Sequence, residues 1–350
     1  MENKAKIPLF PFGNTGLQMP RMVFGSSDLG NLYREMPFQQ KLEIIRQCLA
    51  LGGKHTVFDT AGKYGAGLAL EVIGNCLHQL GVGPDEVVIS NKLGWVRSPL
   101  KGSEPTFEPG IWKGIKNDAV QKISYDGILE CFEEGNTLLK HYVPQLVSVH
   151  DPDEYLDAAR SESDRKRRFE DILEAYRALE NLKREGRVAG IGVGAKDWKV
   201  IPEIYRHVRL DWVMVANSLT IYQHPPELLG FIAKLHHDGV AVINAAVFNG
   251  GFLVGGDRYN YQLLDPAKPT DAKKLAWRHR FHLLCEQHGV KPSHACIQFG
   301  MSVPGIHSVA LSTADETRLM ENFHATQYPL PASFWEAMKE AELLPDFSFL

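Results

Sequence analysis

"HTVFDTAGKYGAG", residues 55–67, opens on an apolar run and ends in a turn. Val57 and Phe58 lack the polar alternation of a half-exposed strand, so both faces of the segment read as covered. The run stops at a charge, Asp59, and Tyr64 follows five residues later among small residues. Asp and Gly are turn formers, and a strand-capping turn would account for this stretch alone. The same pattern recurs, however. Apolar runs stand at "RMVFGS" (21–26), "EVVISNKL" (86–93), "QLVSVHD" (145–151), "RVAGIGVG" (187–194), "DWVMVAN" (211–217), "GVAVINAA" (239–246) and "IHSVALST" (306–313). Between them lie amphipathic segments, clearest at "FQQKLEIIRQCLALG" (38–52) and "FEDILEAYRALENLKREG" (169–186), each stopped by Gly. Strand and helix alternating about eight times predict an α/β fold, a (β/α)8 TIM barrel, which closes its parallel strands without exposed edges. An open doubly wound sheet is the alternative. "IPLFPFGNTGLQMP" (7–20) reads as a β-hairpin ahead of the first strand, placed to plug the barrel floor. No linker or repeat divides the chain, so residues 1–350 read as a single barrel domain.

In such a barrel the chemistry gathers where strands end. Asp59 ends the second run, Tyr64 lies in the loop after it, Lys92 ends the third and His150 the fourth. An ordinary tyrosine has a pKa of about 10, too high for proton transfer near neutrality. A nearby ammonium favours the phenolate, and a carboxylate keeps a buried lysine charged. Asp59 can therefore hold Lys92, and Lys92 can tune Tyr64. A neutral imidazole at His150 can orient a substrate oxygen. The set contains neither a nucleophile–base pair nor a metal cage. It calls for a second reagent, for which a nicotinamide is the natural choice.

These residues resemble, in order and setting, the Asp-Tyr-Lys-His tetrad of the aldo-keto reductase superfamily, and "FDTAGKYG" resembles its signature. The resemblance runs from about residue 9 to about residue 324. It implies that Tyr64 is the general acid/base, that Lys92 and Asp59 tune it, and that His150 positions substrate. It also implies NAD or NADP lying extended across the barrel mouth without a Rossmann fold. "GIGVGAKDW" (190–198) fits a dinucleotide fingerprint, but its glycines fall inside the strand instead of after it. The resemblance assigns the adenine end to "LSTADETRLMENF" (311–323). Arg318, Glu321 and Asn322 share one face of a helical turn there, beside Ser312 and Thr313. Ser312 stands where many NADP-preferring members carry lysine. At the first strand, Gly25 and Ser26 resemble a cofactor-ribose contact.

"NAAVFNGGFL" (244–253) departs from most members, with Ala245 in place of a tyrosine that stacks on nicotinamide. "VFNGGFL", "DTAGKYGAGLALE", "ISYDGIL" and "SVHDPDEY" are similar to the L-fucose or D-threo-aldose 1-dehydrogenase branch. There Phe248, Asn249, Gly250 and Gly251 would meet nicotinamide and pyrophosphate. That likeness implies oxidation of an aldose at C1, in carbohydrate metabolism. Reduction of a small aldehyde or ketone, and a cofactor-sensing regulatory subunit, are the alternatives. The long loop 94–118 carries Trp95 and Trp112, and Trp95, close after Lys92, reads as a sugar platform.

Composition limits the other classes. Net charge is −4 with signs intermixed, which lacks the basic face of a nucleic-acid binder. "RSESDRKRRF" (160–169) reads as a solvated helix entry. The chain start shows no secretory pattern, and no apolar run spans a membrane. Five cysteines form no CxxC, and the histidines, including His279 and His282, form no HExxH. The expectation is a cytoplasmic enzyme with free thiols, no metal and a small-molecule substrate.

Overall fold

A computed structural model describes residues 7–260 and 262–350. Residues 1–6, part of the chain start read above for targeting, lie outside the described residues. Eight parallel strands close into a barrel in chain order. They are β1 Met22–Gly25, β2 Thr56–Ala61, β3 Val87–Leu93, β4 Leu146–His150, β5 Gly190–Ala195, β6 Trp212–Ala216, β7 Ala241–Ala245 and β8 Ile306–Leu311. Each lies within one of the eight apolar runs or overlaps it within a residue or two. β8 pairs back onto β1, so the barrel has no open edge. The hairpin Phe10–Pro11 with Gln18–Met19 lies beneath it. Phe12 and Met19 are fully buried against inward-facing Val57, Leu146 and Trp212 and seal the floor.

Strand parity positions the site. Successive side chains on a strand point to opposite faces. Val57 faces the barrel interior and Phe58 the surrounding helices, so Asp59 faces inward. On β3, Val87 and Ile89 pack outward, leaving Val88, Ser90 and Lys92 inside. On β4, Val147 and Val149 pack outward, leaving Leu146, Ser148 and His150 inside. Asp59 pairs with Ser90, and Lys92 pairs with Ser148. The polar group at the top of each strand therefore reaches the same mouth.

The glycines of "GIGVG" answer to this interior. A Cβ on Gly192 would lie 2.4 Å from the Trp212 ring, and one on Gly194 would lie 3.0 Å from Cδ of Lys92. β5 is bare inside because a large indole and the lysine stem fill its share of the barrel.

Two stretches depart from the sequence reading. The helix expected from residue 169 starts at Glu162, where the Ser161 side chain accepts a hydrogen bond from the Asp164 N–H. The basic run 160–169 is thus mostly its first two turns. Residues 94–118, read above as irregular, contain half of a ladder, Trp95–Pro99 paired antiparallel with Asn117–Gln121. Its tip is pinned to the loop after β1, with Tyr33 N–H donating to Ile111 O at 2.8 Å and Lys113 N–H to Asn31 O at 3.0 Å. Such a flap is invisible to periodicity because its strands are short and separated by seventeen residues.

All five cysteines are buried free thiols. Among the described residues no cluster could hold a metal ion, and no helix is long and apolar enough to cross a membrane.

The crowded β5 interior predicts that Gly192→Ala costs about 1–3 kcal/mol through overpacking. Gly230, exposed in the helix Pro226–His237 with nothing near its missing Cβ, is the control. Gly230→Ala should be stabilising by about 0.5–1 kcal/mol. Denaturant midpoints of the two variants should move in opposite directions, and a neutral Gly192→Ala would refute the packing account.

Candidate active site

The four polar residues of β2, its loop, β3 and β4 converge at the C-terminal mouth of the barrel. Lys92 and Asp59 are both buried, with Lys92 Nζ 2.5 Å from Asp59 Oδ2. Ser90 Oγ donates to the other carboxylate oxygen at 3.2 Å, and Lys92 also donates to Thr60 O at 3.3 Å. Burial disfavours the ammonium, yet Asp59 and the Tyr64 hydroxyl outweigh that cost and hold Lys92 above the usual lysine range. The same ammonium lies 4.8 Å from the centre of the Tyr64 ring.

Tyr64 is half-buried. Its loop packs backbone to backbone on the turn Asp28–Gly30: a Cβ on Gly65 would lie 2.3 Å from Gly30 O. No side chain can enter between these two turns, so the tyrosine has a fixed platform. His150 meets the Tyr64 ring edge-on with centroids 5.6 Å apart, and Trp112 lies over it at 5.9 Å. Burial and the surrounding lysines hold the His150 imidazole well below its ordinary pKa, so it is neutral at physiological pH. Its Nδ1 is buried with no hydrogen-bond partner among the described residues.

A cavity of about 1210 Å³ opens over this group and extends to the β8 loop. Asp59, Tyr64, Lys92 and His150 line one end and Arg318, Glu321 and Asn322 the other, with Ser26 and Thr313 also in the lining and Gly25 beside Ser312, where a Cβ would lie 3.2 Å from the serine Cβ. Phe248, Gly250 and Gly251 lie along the cavity. Gly250 and Gly251 have φ of 70° and 94°, so the loop after β7 presents bare backbone to the cavity. These residues fit an extended dinucleotide: a cradle without side chains in the middle and an arginine with a carboxamide at the far end. Ser26 Oγ is committed to Asp59 O at 2.8 Å, which joins β1 to β2.

Two expected contacts fall elsewhere. Trp95 does not line the cavity. It packs against Phe107 within the flap, 5.6 Å between centroids, and Trp112 is the indole that lines the cavity. Proximity to Lys92 in sequence misleads because Gly94 turns the chain away after β3. Asn249 is fully buried, with its Nδ2 donating to Asn217 O and Asn260 Oδ1, so it braces the loop from behind. Glu321 stays in the cavity lining, bridged at 2.7 Å by Lys291, which lines it too.

Other residues in the site escaped the sequence reading. At the far end, Asp28 accepts a hydrogen bond from Ser312 Oγ at 2.6 Å, and Arg34 lines the cavity nearby. At the near end, Lys63, Glu108, Asp151, Glu154 and Lys196 line the wall beside His150. Lys63, Asp151 and Lys196 each lie directly after the end of a barrel strand or in its following turn. That placement was the available signal.

The chain has relatives of known activity. It is 27% identical to a D-threo-aldose 1-dehydrogenase from a Pseudomonas species, covering 94% of this chain and 96% of the relative. It is 24% identical to pyridoxal 4-dehydrogenase from Microbacterium luteolum, covering 95% and 96%. The glycerol dehydrogenase of Gluconobacter oxydans shares the fold at a TM-score of 0.69 and 16% identity, covering 97% of both chains. Residues 21–343 match the aldo/keto reductase family, and with that match the chain belongs to the aldo/keto reductase family of oxidoreductases.

Proposed function

We propose that this oxidoreductase is an NAD(P)-dependent aldose 1-dehydrogenase, oxidising an uncharged sugar at C1 to its lactone. The observation that carries the chemistry is the Lys92 ammonium, held 2.5 Å from Asp59 and 4.8 Å from the Tyr64 ring centre. A fixed positive charge beside a phenol favours its phenolate. Tyr64 is then the base that takes the proton of the anomeric hydroxyl. Neutral His150 donates a hydrogen bond to the reacting oxygen and orients it. Trp112 offers a flat apolar face to the C–H side of a pyranose. Gly25, Phe248, Gly250, Gly251, Ser312 and Arg318 would hold the dinucleotide, whose nicotinamide supplies the acceptor for the hydride leaving C1. The aldose branch is supported by the 27%-identical D-threo-aldose 1-dehydrogenase. A second reading, oxidation or reduction of a small aromatic aldehyde by the same residues, draws on the 24%-identical pyridoxal 4-dehydrogenase. Nicotinamide absorbance with NAD or NADP, across a panel of aldoses and aldehydes, separates the two. The aldose reading fails if only aldehydes turn over.

Tyr64→Phe keeps the ring and removes the oxygen, so kcat should fall by about 10² to 10⁴-fold. Fluorescence titration should find dinucleotide affinity nearly unchanged. Retention of most of the activity would remove Tyr64 from the base role. Lys92→Met leaves the phenol without its cation. The residual rate should climb toward higher pH than in the parent, and a pH profile of unchanged shape would contradict the tuning role. The parent profile should show no acid limb from His150 near the ordinary imidazole pKa, since burial holds its imidazole well below that value. At the far end, Arg318→Ala should weaken binding of NADP more than of NAD, because a guanidinium grips a 2′-phosphate. Equal, negligible effects in a binding titration would place Arg318 outside the cofactor site.

A further inference from the structure

The wall of the cavity beside His150 is built from five charged side chains of four separate segments. Lys63, from the turn before Tyr64, is buried and bridges Glu154 at 2.6 Å, Glu108 at 2.8 Å and Asp151 at 3.3 Å. Lys196, after β5, bridges Glu154 at 2.5 Å, Asp151 at 3.4 Å and Glu108 at 3.6 Å. Both ammoniums thus share the same three carboxylates. Glu108 comes from the flap and also accepts the Trp112 indole N–H at 2.8 Å. The aromatic plate and the charged wall are therefore one assembly. Burial disfavours each charge, but neighbours of opposite sign outweigh it. Glu108 sits below the usual carboxylate range, and Lys63 and Lys196 sit above the usual lysine range.

Two features of this wall bear on what it accepts. Two ammoniums against three carboxylates leave one net negative charge, beside a neutral imidazole. An anionic substrate would meet that excess with both lysines already engaged. Conversely, each carboxylate has about four acceptor positions, and each ammonium three protons. Hydroxyl groups, which both donate and accept, can join such a network without changing its charge.

We propose that Lys63, Glu108, Asp151, Glu154 and Lys196 form the specificity wall of this site, selecting uncharged polyhydroxylated substrates and rejecting anionic ones such as uronates and sugar phosphates. This deepens the aldose 1-dehydrogenase reading and rests on it for the identity of the substrate as a sugar. These residues act on selection; the proton transfer stays with Tyr64.

The test uses matched pairs: an aldohexose against the uronic acid of the same ring configuration, and glyceraldehyde against its 3-phosphate in the reductive direction. The neutral member of each pair should have the higher kcat/KM, by about tenfold or more for one uncompensated charge at close range. Added salt should improve only the anionic member. Glu108→Gln combined with Glu154→Gln carries the wall from −1 to +1. Both side chains are partly exposed, at 28% and 39%, so the amide isosteres fit the same space. In that variant the preference should narrow or reverse, a change that loosening of the flap alone would not produce. Calorimetric binding of each pair to dinucleotide-loaded Tyr64→Phe protein gives the same ratio without turnover. Equal handling of both members by the parent, or an unchanged ratio in the double variant, overturns the proposal. Failure of every aldose while glyceraldehyde is reduced removes the aldose reading, and the second pair still decides the wall.

Discussion

The buried Lys92–Asp59 pair is the constraint around which the rest of this molecule is arranged. Two charges taken out of water are costly, and their attraction offsets the cost only with close geometry and further hydrogen bonds. Here Ser90 satisfies the second carboxylate oxygen and Thr60 O accepts from the ammonium. Removing one partner of such a pair costs about 3–5 kcal/mol, because the other is left uncompensated. A hydrophobic pair of the same volume would hold the barrel as well. What it would lack is a permanent positive charge against the Tyr64 ring.

That charge sets the surroundings. The lysine stem needs Gly194 opposite, which makes β5 a glycine strand, and the free interior volume goes to Trp212. The ammonium also contributes to keeping His150 neutral, together with burial and with Lys63 and Lys196 nearby. One group is held cationic, one imidazole is held neutral and one phenol stands between them, so the mouth of the barrel carries three distinct protonation tasks within a few ångströms. The flap supplies the remaining wall through Glu108 and Trp112.

Much of this was legible in the sequence. Eight apolar runs with little polar alternation read as strands covered on both faces, and a charged or phenolic residue at the end of such a run, or in the loop after it, falls at the mouth. Asp59, Tyr64, Lys92 and His150 follow from those two rules. The glycines of "GIGVG" resisted because their reason is tertiary: Trp212 and Lys92 come from other strands. Trp95 and Trp112 were misranked for a related cause. Nearness to Lys92 along the chain says nothing once an antiparallel ladder has carried residues 100–116 away and back across the mouth. The charged wall was hidden because each of its members is an ordinary charged residue outside the barrel strands until four segments meet.

The account stands on Lys92 favouring the ionised phenol of Tyr64, and that can be observed directly. Protein labelled with ¹³C at tyrosine Cζ reports each phenol's ionisation by its carbon shift as pH is raised, with Tyr64 assigned by its loss in Tyr64→Phe. The account predicts that the Tyr64 signal titrates at lower pH in the parent than in Lys92→Met protein, while the other tyrosines stay put. Coincident titration of Tyr64 in the two proteins would contradict it.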